Sequence, residues 1–136
     1  MGFLDSAKNK AKSTFSTTSN KYDERKEVGK IESQIKEERN KVKSLYETIG
    51  KEYYRYTFDG DESHKDNFDS MIAQINESRK LIEEYEAQIE EVRAKAKEER
   101  ENIKAEHDAR AREIEEADAQ ARAEKEAARK ENDDLF

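Results

Sequence analysis

Between Tyr22 and Ile103 apolar residues recur in steps of three and four, with charged residues between them. The first stretch reads Val28, Ile31, Ile35, Val42, Leu45, Ile49, Tyr53 and Tyr56, with one gap at Glu38. The second reads Phe68, Met71, Ile75, Ile82, Tyr85, Ile89, Val92 and Ala96. Val28, Ile35, Val42, Ile49 and Tyr56 share one position of a seven-residue repeat, as do Phe68, Ile75, Ile82, Ile89 and Ala96. This is the seam of a coiled coil, and a sustained heptad predicts a left-handed supercoil.

The two seams match when the chain is folded back on itself. Antiparallel helices of equal rise bring together residues equidistant from the bend. Tyr56 then meets Phe68, Ile49 meets Ile75, Val42 meets Ile82, Ile35 meets Ile89 and Val28 meets Ala96, all centred on residue 62. That centre falls in Asp59-Gly60-Asp61-Glu62-Ser63, the strongest turn signal of the region. A single apolar stripe per arm gives modest stability at about 25 cal/mol per Å². Glu38, Glu52 and Ser78 interrupt it further, so self-association or a protein partner is expected.

The expected fold is therefore all-α: an antiparallel two-helix coiled-coil hairpin over residues 22–103, with its turn at 59–66. A short amphipathic helix (residues 1–21) precedes it, and a charged, Ala/Glu/Arg-rich helical extension (residues 104–136) follows.

Composition narrows the class. Charged residues make up 45% of the chain and hydrophobic residues 32%, with no Pro, Cys or Trp and four Gly, which suits long helices rather than a globular core. The missing Cys removes disulfides and thiolate metal sites. No apolar run is long enough to span a bilayer or to act as a signal peptide, so the expected location is the cytoplasm. A net charge of −7 argues against nucleic-acid binding, which needs a basic face.

Residues 1–21 carry four Lys and one Asp in this otherwise acidic chain. Phe3, Leu4, Ala7, Ala11 and Phe15 form one thin apolar helix face, with Lys8, Lys10 and Lys12 around it. Three placements fit. The segment lies on a membrane surface through Phe3, Leu4, Lys8, Lys12 and Phe15. It lengthens the hairpin by pairing Phe15 with Ala109, Ala7 with Ala117 and Phe3 with Ala121. Or it frays, with Ser16 to Asn20 as a hinge or cap region. Met1-Gly2 with Ser6 also fits the short myristoylation pattern, which is common by chance.

Tyr46, Tyr53, Tyr54, Tyr56 and Phe58 crowd the end of the first arm around Gly50. Tyr53 and Tyr56 suit the seam, whereas Tyr46 and Tyr54 point elsewhere; the cluster either offers a protein-contact surface or simply caps the end of the coiled coil. A helix-interior Gly costs about 1 kcal/mol relative to Ala, so Gly50 suggests close approach by the opposite arm or another chain. The acidic turn lacks the ligand spacing of a calcium loop, and Asp61 or Ser63 fits better as the N-cap of the second arm, with Asp66 completing a capping box. His64 and His107 stand apart in charged surroundings and are expected to be solvated. No nucleophile–base pair or phosphate-cradling loop is present, so the expectation is a protein without catalytic site, cofactor or metal.

Ala94 to Ala128 favours helix strongly, with a weak seam at Ile103, His107, Arg110, Ile114, Ala117 and Ala121. The final Asp133-Asp134-Leu135-Phe136 is similar to the C-terminal docking peptides of bacterial single-stranded-DNA-binding proteins, although the body has nothing of their barrel; the alternative is a frayed tail.

Met1-Gly2-Phe3-Leu4-Asp5, then Ile49-Gly50-Lys51-Glu52-Tyr53-Tyr54, then a second long helix from Phe68 to Ile89 resemble a group of small bacterial coiled-coil proteins of unknown function. Many of that group end in a Cys-x-x-Cys zinc ribbon. This chain has no Cys, so the resemblance implies a helical hairpin and carries over neither zinc nor an activity. The functional expectation is a self-associating scaffold, or alternatively a peripheral membrane protein held by the first helix.

Overall fold

The computed structural model describes residues 2–60, 62 and 65–135. Two antiparallel helices account for nearly all of them: α1, Gly2–Asp59, and α2, Lys65–Asp134. The fold is the expected all-α hairpin. The chain forms two compact units, one from residues 24–94 and one from residues up to 23 with those from 95 onward.

The unit of residues 24–94 holds the apolar seam. Val28, Ile31, Ile35 and Ile89 form a buried cluster, against which Ile82, Tyr85 and Val92 pack. Met71 and Ile75 are also buried, while Val42, Leu45, Ile49 and Phe68 are half-buried. No side chain in the described residues is fully buried, because two helices cover each other from one side only. Tyr53 and Tyr56 each set their rings 6.3 Å from Phe68, closing the seam beside the turn.

α1 ends in a left-handed cap. Gly60 has φ +64° and its N–H donates to the Tyr56 carbonyl at 2.9 Å, which satisfies a carbonyl the helix leaves open. Only glycine takes this conformation without steric cost. The turn thus begins where the Asp59-Gly60 signal put it. Asp66 sits in the first turn of α2. Asp61, Ser63 and His64, which bear the capping expectation and one of the two histidines, lie outside the described residues.

The other unit is built differently. Residues 2–23 neither fray nor form a separate short helix; they are the continuous start of α1. Ser16 to Asn20 makes no hinge. Its neighbourhood stays helical, and Thr14 and Thr18 donate their hydroxyls to the carbonyls one turn back, at 2.9 Å each. The segment does lengthen the hairpin, packing on the residues from 95 onward, but not by pairing Phe15, Ala7 and Phe3 with Ala109, Ala117 and Ala121: all six residues are exposed. The face turned toward α2 is polar instead. Asn9 and Asn20 are buried, and Ser13, Ser16 and Thr17 are half-buried. On α2, Ala96 is buried while Arg100, Ile103, His107, Ile114 and Asp118 are half-buried, so Asp118 replaces Ala117 on the inward face.

Hydrogen bonds hold this polar seam. Asn9 Nδ2 donates to the His107 carbonyl at 3.1 Å. Asn20 Nδ2 donates to the Ala96 carbonyl at 3.2 Å and to Glu99 Oε2 at 3.0 Å, while its Oδ1 accepts from Arg100 Nη1 at 2.9 Å. Beside Gly2 the Asp118 carboxylate comes so close that any larger side chain would strike it.

Candidate functional site

With the inward faces fixed, what remains outside defines the surfaces available for function. Two groups of large apolar side chains face solvent, one in each unit.

The first lies on residues 2–22. Phe3 and Phe15 are 86% and 76% exposed, and Leu4 and Tyr22 are about two-thirds exposed, at 67% and 65%. At about 100° per residue these side chains, with Ala7 and Ala11 between them, centre about 180° from the face carrying Asn9 and Asn20. Lys8 borders the stripe on one side, and Lys10 and Lys21 on the other, whereas Lys12 stands nearer the seam, lining a small groove with Asn9, Ser13, Glu106 and His107; all four lysines are exposed. Of the membrane-contact candidates, Phe3, Leu4, Lys8 and Phe15 therefore share one outward surface, while Lys12 is turned toward the groove beside α2.

The second lies near the end of α1. Tyr46, Tyr53, Tyr54 and Phe58 are each more than half exposed, whereas Tyr56 is half-buried in the seam. Tyr54 and Phe58, one turn apart, stack with ring centroids 4.6 Å apart and 29° between their planes. On α2, Ile72 adds a half-exposed aliphatic side chain. Gly50 does not receive the opposite arm: nothing lies within 4 Å of where its Cβ would stand. It instead lines a shallow open concavity with Glu47, Lys51, Tyr54 and Arg55, so the aromatic surface continues around a residue without a side chain.

The seam of residues 24–94 is interrupted by polar residues where Glu38, Glu52 and Ser78 were expected to interrupt it. Glu38 and Ser78 are both buried. The Ser78 hydroxyl and the Lys41 ammonium, 3.0 Å from Glu38 Oε1, hold the Glu38 carboxyl below its ordinary pKa, against the opposing effect of burial. Glu38 in turn raises the Lys41 pKa. Leu45, Glu77 and Leu81 line an open notch beside this pair. Arg39 and Glu86 pair across the helices at 3.4 Å, both largely exposed, which contributes little.

His107 is half-buried against the polar seam rather than solvated, with Nδ1 3.4 Å from Asp108 Oδ1. No group of three or more potential metal-ligating side chains occurs among the described residues. No helix there is long and apolar enough to cross a membrane. The tail candidates Asp133 and Asp134 are exposed in the last turn of α2 rather than frayed. Leu135 is exposed, its N–H donating to the Glu131 carbonyl at 3.2 Å, and Phe136 lies outside the described residues.

No family model matches the chain, and no curated protein or solved structure matches it.

Proposed function

We propose that this chain is a non-enzymatic helical-hairpin scaffold that self-associates through the aromatic surface at the end of α1. The observation that supports this reading is the Tyr54–Phe58 stack, 62% and 73% exposed on the outer side of a hairpin in which no side chain of the described residues is completely buried. Aromatic side chains contribute more to protein contacts than other residues when they find a pocket, and an isolated two-helix seam gains most from further packing. Tyr46 and Tyr53 widen the surface, and the bare backbone at Gly50 leaves room for a ring from a second chain.

Sedimentation of the full chain over a range of concentrations tests the proposal. The expected result is reversible association that the Tyr54→Ser/Phe58→Ser variant weakens at least about tenfold, the loss expected of interface anchors. Both side chains are exposed, so helix content stays unchanged. A strict monomer at every concentration, or identical association in the variant, overturns it.

A further inference from the structure

We infer that the outward face of residues 2–22 seats on an anionic phospholipid bilayer surface, independently of any association at the aromatic end of the hairpin. Four observations in one unit carry this.

First, the rotation of the helix is set by bonds that have nothing to do with its apolar residues. Asn9 and Asn20 bind the α2 backbone and side chains, which fixes the polar face inward and Phe3, Leu4, Phe15 and Tyr22 outward. The apolar stripe cannot turn into the seam without breaking that network. Second, the stripe carries little polarity of its own. Thr14 and Thr18 lie on it, and their hydroxyls are bonded back to the Lys10 and Thr14 carbonyls, so no hydroxyl need be stripped of water unpaired.

Third, charge selects the occupant. Lysines border both edges, where their long stems can lie along an apolar surface while the ammonium groups reach phosphate headgroups. The chain as a whole carries −7, so this basic rim is local. A second copy docked stripe to stripe would bring three lysines against three, an arrangement that like charge opposes. Fourth, the acidic partner segment of α2 packs on the opposite side of the helix, away from the surface that would meet anionic headgroups.

This is the geometry of a helix lying in an interface plane: a thin apolar wedge, cationic edges, and no length or hydrophobicity for spanning. Because the helix is already formed on α2, docking would not need to nucleate it. Many interfacial peptides fold only on contact and lose affinity to ordering.

Flotation of the full chain with vesicles of phosphatidylcholine alone, and with phosphatidylglycerol added, tests the inference. The chain is expected to float with the anionic vesicles and to stay behind with the neutral ones. Phe3→Ser/Phe15→Ser and Lys8→Glu/Lys10→Glu are each expected to cut flotation at least about tenfold, and added salt to reduce it, as buried apolar area and headgroup attraction act together. Helix content measured by circular dichroism should match the wild-type chain in both variants, since all four residues are exposed. Tyr54→Ser/Phe58→Ser should float like the wild type, which separates this surface from the aromatic one. The inference is overturned by absence of wild-type flotation, by equal flotation of the Phe3→Ser/Phe15→Ser variant, or by that variant losing self-association while lipid binding is absent.

Discussion

Replacing Asn20 by Ala is the sharpest probe of how residues 2–23 are held. Asn20 is only 6% exposed and makes three bonds across the helices, to the Ala96 carbonyl, to Glu99 and from Arg100. A neutral hydrogen bond contributes about 0.5–1.5 kcal/mol and one to a charged partner about 1.5–3 kcal/mol. Glu99 and Arg100 are partly solvated, and water takes over their bonds in the variant. Each of the three bonds therefore counts near the low end of the neutral range, which puts the whole loss at about 2 kcal/mol. With so few apolar contacts inward in this stretch, the loss falls on local opening rather than on global unfolding. At a tenfold change per 1.4 kcal/mol, amide hydrogen exchange in residues 9–23 should accelerate about thirtyfold. Amides around Val28, Ile31 and Ile35 sit in the apolar cluster and serve as the internal control. Acceleration of less than about threefold in residues 9–23, or equal acceleration in both regions, would refute the claim that this bond network is what fixes the segment.

Two more expectations follow from single residues. Glu38 has its pKa depressed in the folded state, so its contribution to stability is complete above the ordinary value of 4.5 and is lost as pH falls through the lower folded value. The urea midpoint of the wild-type chain should consequently drop more on acidification below 4.5 than that of Glu38→Gln; parallel pH profiles would contradict this. At Gly60, whose φ is +64°, Ala should destabilise the hairpin by about 1 kcal/mol in urea unfolding, since an L side chain clashes in that conformation.

Much of the unit of residues 24–94 was legible in the sequence because its energetics are simple. Val28, Ile31, Ile35, Ile75 and Ile89 are buried at the heptad positions where burial is favourable, and the turn falls where glycine supplies the required φ. The start of α1 was misread for the converse reason. Running the heptad back from Val28 lands on Lys21, Thr14 and Ala7, all of which are exposed. The inward residues are instead Asn20, half-buried Glu24 and then buried Val28, two successive steps of four. Such an extra residue moves a seam around its helix. The available signal was a polar one: Asn9, Ser13, Ser16 and Asn20 stand at helical spacing in phase with Glu24. A rule that assigns apolar residues inward passes over it. At Gly50 the approach of the opposite arm is what fails, since the glycine lies on a face that the second helix does not reach.

The contact candidates followed their helix phase only in part. Tyr46 and Tyr54, expected off the seam, are exposed, and Tyr56, expected on it, is half-buried; Tyr53, also expected on the seam, is 61% exposed, with Glu52 half-buried beside it. What no periodicity could supply is the stacking of Tyr54 on Phe58, which depends on rotamers, or the bonding of Glu38 to Ser78 across the helices.

The polar grip of Asn9 and Asn20 has a consequence for how this chain can change. Attachment and display occupy opposite sides of the same helix, so the outer residues of the first twenty-odd positions are free to be rewritten without loosening the fold. A lineage, or an engineer, could exchange the displayed chemistry wholesale while the asparagines go on clasping the second helix.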